Sequence, residues 1–393
     1  MSEKIVLLSG VRTAIGKFGG ALRDIPAVHL GALVIAQAVA RAGIRGDQVD
    51  EVIMGNVLSA GLGQNPARQA ALLAKLPAEV GAVTVNMVCG SGLKAVLLAA
   101  RAIKSGDAQM VVAGGMENMS AAPHLLHGLR WGVKVGDAHL IDVMLHDGLL
   151  DAFHNIRMGE TGERTARKYG LTRQQADDFS LRSQQRAARA RLEGDFDKEI
   201  IPVTANGTSF TTDECVRGGI TPERLADLAP SFAENGLLTA GNSSQISDGA
   251  AALVVASASR AMELGLNPLA EITHYAVAGT APEDVMEAPI PAVRKLLAET
   301  GLTMADIDLV EHNEAFSVAS LAVARELDIP MEKLNVRGGA VALGHPIGAS
   351  GARILVTLLH AMQDRGGKRG LATLCMGGGN GLAMLIEQTG RIL

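Results

Sequence analysis

The chain has 393 residues, 48% of them hydrophobic, which provides for a sizeable core in two or three domains and excludes wholesale disorder. Lys and Arg total 36 against 41 Asp and Glu, a net charge of −5, and the aromatics are one Trp, two Tyr and seven Phe. Such a chain has neither the cationic surface nor the stacking platforms of a nucleic-acid binder. Charged residues at 20% fall below the ~25% usual in soluble domains and point to surface covered by other subunits.

No run of ~18 apolar residues occurs, so no membrane span is expected. The start, with an apolar stretch only from Lys4 to Leu8, has no secretory h-region or cleavage site. The last residues, Gly390-Arg391-Ile392-Leu393, carry no peroxisomal or retention address. Three cysteines, Cys89, Cys215 and Cys375, make no disulfide framework, and no C-x-x-C pair suggests zinc. The expected compartment is the cytoplasm.

In chain order, the first signal is a repeat. Gly43 to Asn56 reads G-I-R-G-D-Q-V-D-E-V-I-M-G-N, and Gly301 to Glu314 reads G-L-T-M-A-D-I-D-L-V-E-H-N-E. Further on, Ala82 to Val88 predicts a short valine-rich strand. Ser91-Gly92 then opens an apolar-periodic helix ending near Gly106, and a strand from Met110 to Ala113 runs into Gly114-Gly115. The second copy has Ser350-Gly351, a helix to about Asp364, a strand Leu371 to Cys375, and Gly377-Gly378. Two matches in the same order at nearly the same spacing predict a duplicated α/β unit. Alternating strands and helices predict parallel sheets covered by helices, with two copies packed helix layer to helix layer.

The predicted division is 1–120 plus 245–270 for the N-terminal half, 121–244 for an insertion, and 271–393 for the C-terminal half. The insertion holds a charged amphipathic helix, Arg173 to Gly194, whose Arg182, Arg186, Arg189 and Arg191 read as a solvated face. A loop-rich part, Ala205 to Gly219, follows.

Four candidates for chemistry fall at carboxyl ends of predicted strands, where open α/β sheets place their sites. Cys89, in N-M-V-C-G-S-G-L-K-A-V, sits where a strand stops and a helix begins. The helix N-terminus favours thiolate and makes a nucleophile the better reading than a buried structural cysteine. His345, in G-G-A-V-A-L-G-H-P-I-G-A-S-G-A-R, occupies the corresponding loop of the second copy, where a base is placed well. Cys375 precedes M-G-G-G-N-G, whose free N–H groups suit an oxyanion. Asn313 and Glu314, in E-H-N-E-A-F, close the repeated strand. His124 and His127 have no accompanying ligand set, so no metal is expected.

Taken together, V-C-G-S-G-L-K-A, A-G-N-S-S-x-x-S-D-G-A-A-A, N-E-A-F, G-G-A-x-A-x-G-H-P-I-G-A-S-G-A-R and C-x-G-G-G-x-G resemble the thiolase family along the whole chain, and within it the acetyl-CoA C-acetyltransferase (acetoacetyl-CoA thiolase) branch. The resemblance implies a five-layered αβαβα fold, a homotetramer, acyl-CoA substrates and no cofactor, coenzyme A being substrate and product. It also implies roles. Cys89 is acylated while His345 takes its proton, and Cys375 removes the α-proton of the second acetyl-CoA. Asn313 holds a water beside His345, and the N–H groups of Cys89 and Gly377 form an oxyanion hole. By the same resemblance the insertion carries coenzyme A and subunit contacts. Arg217 lies by the nucleotide, Leu228, Phe232, Ala240 and Ser244 line the pantetheine path, and Met158 and Phe316 face the acyl group.

The chain departs from the short-chain pattern in having Arg157 ahead of Met158-Gly159, Glu287-Ala288 within Val285 to Pro291, and His312 and Gln245. Residues 285–291 are expected near the acyl pocket, so acyl-chain preference rests on these positions. The readings to separate are condensation of two acetyl-CoA with reverse thiolysis, a broader 3-ketoacyl-CoA thiolase acting on longer or carboxylated chains, and a silent acyl-CoA-binding scaffold. Retention of Cys89, His345 and Cys375 speaks against the last.

Overall fold

The computed structural model describes residues 3–389, so the Gly390 to Leu393 stretch lies outside the described residues. The N-terminal half contains β1 (Ile5–Thr13), α1 (Ala27–Ala42), β2 (Glu51–Gly55), α2 (Pro66–Leu73), β3 (Gly81–Val85), α3 (Ser91–Ser105) and β4 (Met110–Asn118). The stretch between the halves supplies α4 (Met158–Lys168) and α5 (Arg173–Leu192). After it come β5 (Ser247–Ser257), β6 (Ala270–Gly279), α6 (Pro289–Thr300), β7 (Leu309–His312), α7 (Ser317–Glu326), α8 (Ile347–Arg365), β8 (Arg369–Met376) and β9 (Asn380–Gln388).

The duplication is carried by local structure. Gly43 ends α1 with φ 70° and Gly301 ends α6 with φ 69°, a left-handed turn that glycine adopts without steric cost. A 3-10 turn follows each, Gly46–Gln48 and Met304–Asp306, and leads into β2 and β7. One strand is nearly lost from the second copy. Where β3 pairs with β2 in the first half, only a single bridge, Val310 to Leu334, accompanies β7.

The strands form a mixed sheet in the order β7-β8-β9-β6-β1-β5-β4-β2-β3, and β1 meets β6 through only two residue pairs, Val6 with Glu271 and Leu7 with Ala270. Parallel pairing, expected throughout, holds only for β2 with β3 and β4 and for β7 with β8. Every other junction of these main strands is antiparallel. For β8 and β9 the reason is the three-residue connection Gly377 to Gly379, which is too short for the crossover that parallel strands need.

Three apolar clusters define the layers. One packs α1 and α2 on the N-terminal sheet, one packs α3 and α8 between the two sheets, and one packs α6 and α7 outside the C-terminal sheet. The order is therefore α, β, α, β, α. The central layer is tight because the two helices touch at glycines. A Cβ on Gly92 would stand 2.7 Å from Ala352 N, and one on Gly351 would stand 2.8 Å from Leu93 Cβ. This contact brings the N-termini of α3 and α8 together, and with them the loops bearing Cys89 and His345.

The inserted stretch docks through buried polar bonds. Arg12, fully buried in β1, binds Glu199 at 2.6 Å and Asp213 at 2.7 Å. On α5, Ser183 donates to Glu314 at 2.7 Å. The arginine face of α5 is less solvated than expected, because Arg186 donates to the carbonyls of Met331 and Leu334 in the C-terminal half. Among the described residues no helix is long and apolar enough to cross a membrane.

Candidate active site

Cys89 sits at the α3 entrance, held by a tight turn. Ser91 Oγ donates to Val88 O at 2.6 Å and accepts from Met87 N at 2.9 Å. Val88 has φ +48°, an outlier for a β-branched residue, so the backbone strain of this elbow falls one residue before the cysteine. The sulfur receives two backbone N–H groups, from Gly377 and from Cys89 itself. Burial nevertheless pushes the thiol up to about 11, with the two N–H groups acting in the opposite direction.

Cys375 lies near the end of β8, two residues before Gly377, and is buried. Burial and then the charge of Cys89 push its thiol up to about 12. That coupling places the two sulfurs in each other's field. Cys375 belongs to an apolar cluster with Phe316, Met286 and Met158, while Cys89 packs on Val57, Leu58 and Ile347.

His345 is the hinge between these groups. Its Nδ1 meets Ser350 Oγ at 2.6 Å, and the Ser350 hydroxyl is itself directed to Pro346 O at 2.9 Å. Ser350 therefore accepts, Nδ1 carries the proton, and the Nε2 lone pair is free to act as a base. Asn313 Nδ2 approaches Nε2 at 3.4 Å, and Asn313 N donates to Thr373 O at 3.1 Å, tying it to β8. The Asn313 Oδ1 atom is buried without a partner among the described residues. Burial, followed by the charge of Arg353, lowers His345 to about 3, so the ring is neutral.

A cavity of about 750 Å³ opens beside this group. Met158, Arg217, Phe232, Ala240, Ser244 and Phe316 line it, together with His345. Leu228 does not line it: its carbonyl accepts from Arg173 at 2.9 Å. Cys89, Cys375 and Asn313 are not among the residues that line the cavity. Phe232 and Phe316 pack edge to face at 5.8 Å. Glu314 is structural, accepting from Ser183, Asn335 and the Val341 N–H.

The thiolase N-terminal domain model matches residues 5–259 and the thiolase C-terminal domain model matches residues 266–388. The chain belongs to the thiolase family. Acetyl-CoA acetyltransferase of Cupriavidus necator is 54% identical, over 98% of this chain and 99% of that protein. The protein of the same name from Escherichia coli is 55% identical, again over 98% and 99%. The crystal structure of the Bacillus anthracis acetyl-CoA acetyltransferase superposes with a TM-score of 0.97 at 43% identity, covering 99% of both chains.

In this thiolase the departures from the short-chain pattern fall in different places. Arg157 is at the cavity, where its guanidinium stacks 5.5 Å from the Phe232 ring and donates to Glu160 and to the Phe232 carbonyl. Glu287, expected near the acyl pocket, turns away from the cavity and pairs with Lys168 at 2.7 Å and Tyr169 at 3.1 Å. His312, the last residue of β7, is buried and bonds Ser320 at 2.8 Å. The cavity wall also contains Ile347, inside the His345 motif but not singled out, and Lys17, Phe18, Met119, Leu145 and Leu149. The last five gave no signal because they come from short segments with no motif of their own.

Proposed function

We propose that this thiolase is an acetyl-CoA C-acetyltransferase, condensing two acetyl-CoA to acetoacetyl-CoA and coenzyme A and running the reverse thiolysis. The observation that carries this reading is the His345 tautomer: an Nε2 lone pair beside Asn313, on a residue that lines the cavity. Full-length identity above half to acetyl-CoA acetyltransferases supports the substrate.

The chemistry follows from these groups. Cys89 attacks the thioester carbonyl, its proton passes to His345 Nε2, and Cys375 protonates the departing coenzyme A sulfur. The Cys375 thiolate that results is a strong base because burial holds its thiol high. It takes the α-proton of the second acetyl-CoA, and the carbanion attacks the acyl carbonyl on Cys89. The C–C bond forms, the Cys89 sulfur leaves, and it recovers the proton from His345. Asn313 with a water, and the N–H groups of Cys89 and Gly377, stabilise the two developing oxyanions.

Thiol and imidazole suffice for this cycle, with coenzyme A as substrate and product rather than cofactor. Pantetheine follows Phe232, Ala240 and Ser244, with Arg217 at the nucleotide and Met158 and Phe316 at the acyl group. We read the enzyme as a cytoplasmic homotetramer, the insertion and the edge strand β3 providing contacts. Val135 at 95% exposed and Trp131 at 82% exposed support that reading.

A broader acyl range is the second reading, because Arg157 sits at the cavity. Its partners Glu160 and Phe232 favour a structural use of the guanidinium. The test is coenzyme A-dependent cleavage of 3-ketoacyl-CoA substrates from four carbons upward, one of them ω-carboxylated. Activity confined to the four-carbon substrate is expected, and comparable rates on long or carboxylated chains overturn the narrower assignment.

A further inference from the structure

Glu117 is a buried carboxyl that the cycle above does not use. It is the penultimate residue of β4 and is 0% exposed. Four N–H groups converge on it. Oε1 accepts from Asn56 Nδ2 at 2.8 Å and Leu58 N at 3.1 Å. Oε2 accepts from Val57 N at 3.0 Å and Gly348 N at 2.9 Å. The Asn56 amide is oriented by a second donated bond, to Met116 O at 3.2 Å. Burial raises the group to about 7, while four donors and no bonded acceptor among the described residues favour the carboxylate, so the anion prevails above neutral pH.

These donors come from both halves of the molecule. Val57 and Leu58 follow β2, while Gly348 belongs to the first turn of α8, three residues after His345. A Cβ at position 348 would stand 2.6 Å from Glu117 Oε2, so glycine there is what lets the carboxylate reach the helix end. Val57, Leu58 and Ile347, which flank these bonds, form one apolar cluster with Cys89 packed against it. One side chain thus fixes the base-bearing loop against the pocket of the nucleophile.

Its charge also reaches the Cys89 sulfur. Burial is the main cause that disfavours an anion there and the Glu117 charge adds to it, while the N–H groups of Gly377 and Cys89 and the N-terminus of α3 favour the anion. Cys375 is the other ionisable group coupled to Cys89, and His345 is neutral.

We propose that Glu117 is a positioning residue for the Cys89 and His345 loops, and that its negative charge adds to burial in keeping Cys89 a thiol until acyl-CoA is bound and His345 takes the proton. The proposal rests on Cys89 being the acylated nucleophile. Cys89 acetylation by acetyl-CoA in the wild type, located by peptide mass, checks that premise separately.

The experiment compares wild type, E117Q and E117D by iodoacetamide labelling of Cys89, read by peptide mass, and by thiolysis kinetics. E117Q is expected to be labelled about three- to tenfold faster near pH ~8, corresponding to a fall of about half to one unit in the thiol pKa. Its kcat is expected to fall at least about tenfold with KM within about twofold. Reactivity and turnover moving in opposite directions is a result that a merely structural residue would not give. Labelling that is unchanged or falls together with kcat overturns the electrostatic role, and a wild-type kcat overturns the positioning role. Should E117Q not fold, E117D decides. It retains the charge, so labelling within about twofold of wild type with a kcat reduced at least about fivefold is expected, and a wild-type kcat or faster labelling overturns the proposal.

Discussion

Replacing Ser350 by Ala removes the atom that decides which nitrogen of His345 carries the proton. In the wild type Nδ1–H donates to Ser350 Oγ at 2.6 Å in a fully buried position, leaving Nε2 as the base. In S350A that N–H is buried without an acceptor, which costs about 1–3 kcal/mol. The ring can escape the cost only by moving the proton to Nε2, which removes the lone pair that catalysis needs. Since 1.36 kcal/mol is tenfold in rate, kcat/KM should fall about 5- to 150-fold. In the proposed cycle His345 acts in both acylation and carbon–carbon bond formation, so thiolysis and condensation should fall alike. The assay is steady-state turnover in both directions, with circular dichroism to show the fold intact. A folded S350A enzyme within about twofold of wild type would refute the tautomer argument.

C89A should abolish both directions with the fold retained, whereas C375A should still accept an acetyl group on Cys89 but fail to condense. A trapped acetyl-enzyme seen by mass on C375A is the expected result, and its absence moves the base role elsewhere. Because burial holds the Cys89 thiol up to about 11, only a small thiolate fraction exists at neutral pH. Labelling of free wild-type enzyme should therefore rise about tenfold per pH unit from about pH 7.5 to 9.5. A plateau below about pH 8 would mean that the helix end outweighs burial. R12M leaves Asp213 buried without its cation and Glu199 with only Arg337 at 3.5 Å, a change of about 3–5 kcal/mol measurable by denaturant unfolding.

The duplicated halves and the loops that bear Cys89 and His345 were legible in the sequence because each depends on short-range rules. Left-handed glycines, strand ends and helix entrances recur at fixed spacing, so Gly43 answers Gly301 and the Cys89 turn answers the His345 turn. Strand direction was less legible. The periodicity of β5, β6 and β9 says that they are buried strands, but their antiparallel pairing depends on connections and neighbours that periodicity does not encode. The solvated face assigned to α5 missed Arg186 for a similar reason, since its acceptors lie ~150 residues away in the C-terminal half.

The sequence by itself determined the α/β class, the repeat, the thiolase motifs and the residue types at the site, because these are properties of local pattern and side-chain chemistry. Only the tertiary structure decided that Ser350 sets the tautomer of His345, that Glu287 turns toward Lys168, and that one carboxylate, Glu117, joins the loops of both halves. The physical reason is that hydrogen-bond partnership and burial arise between segments far apart in the chain, and spacing along a sequence fixes neither.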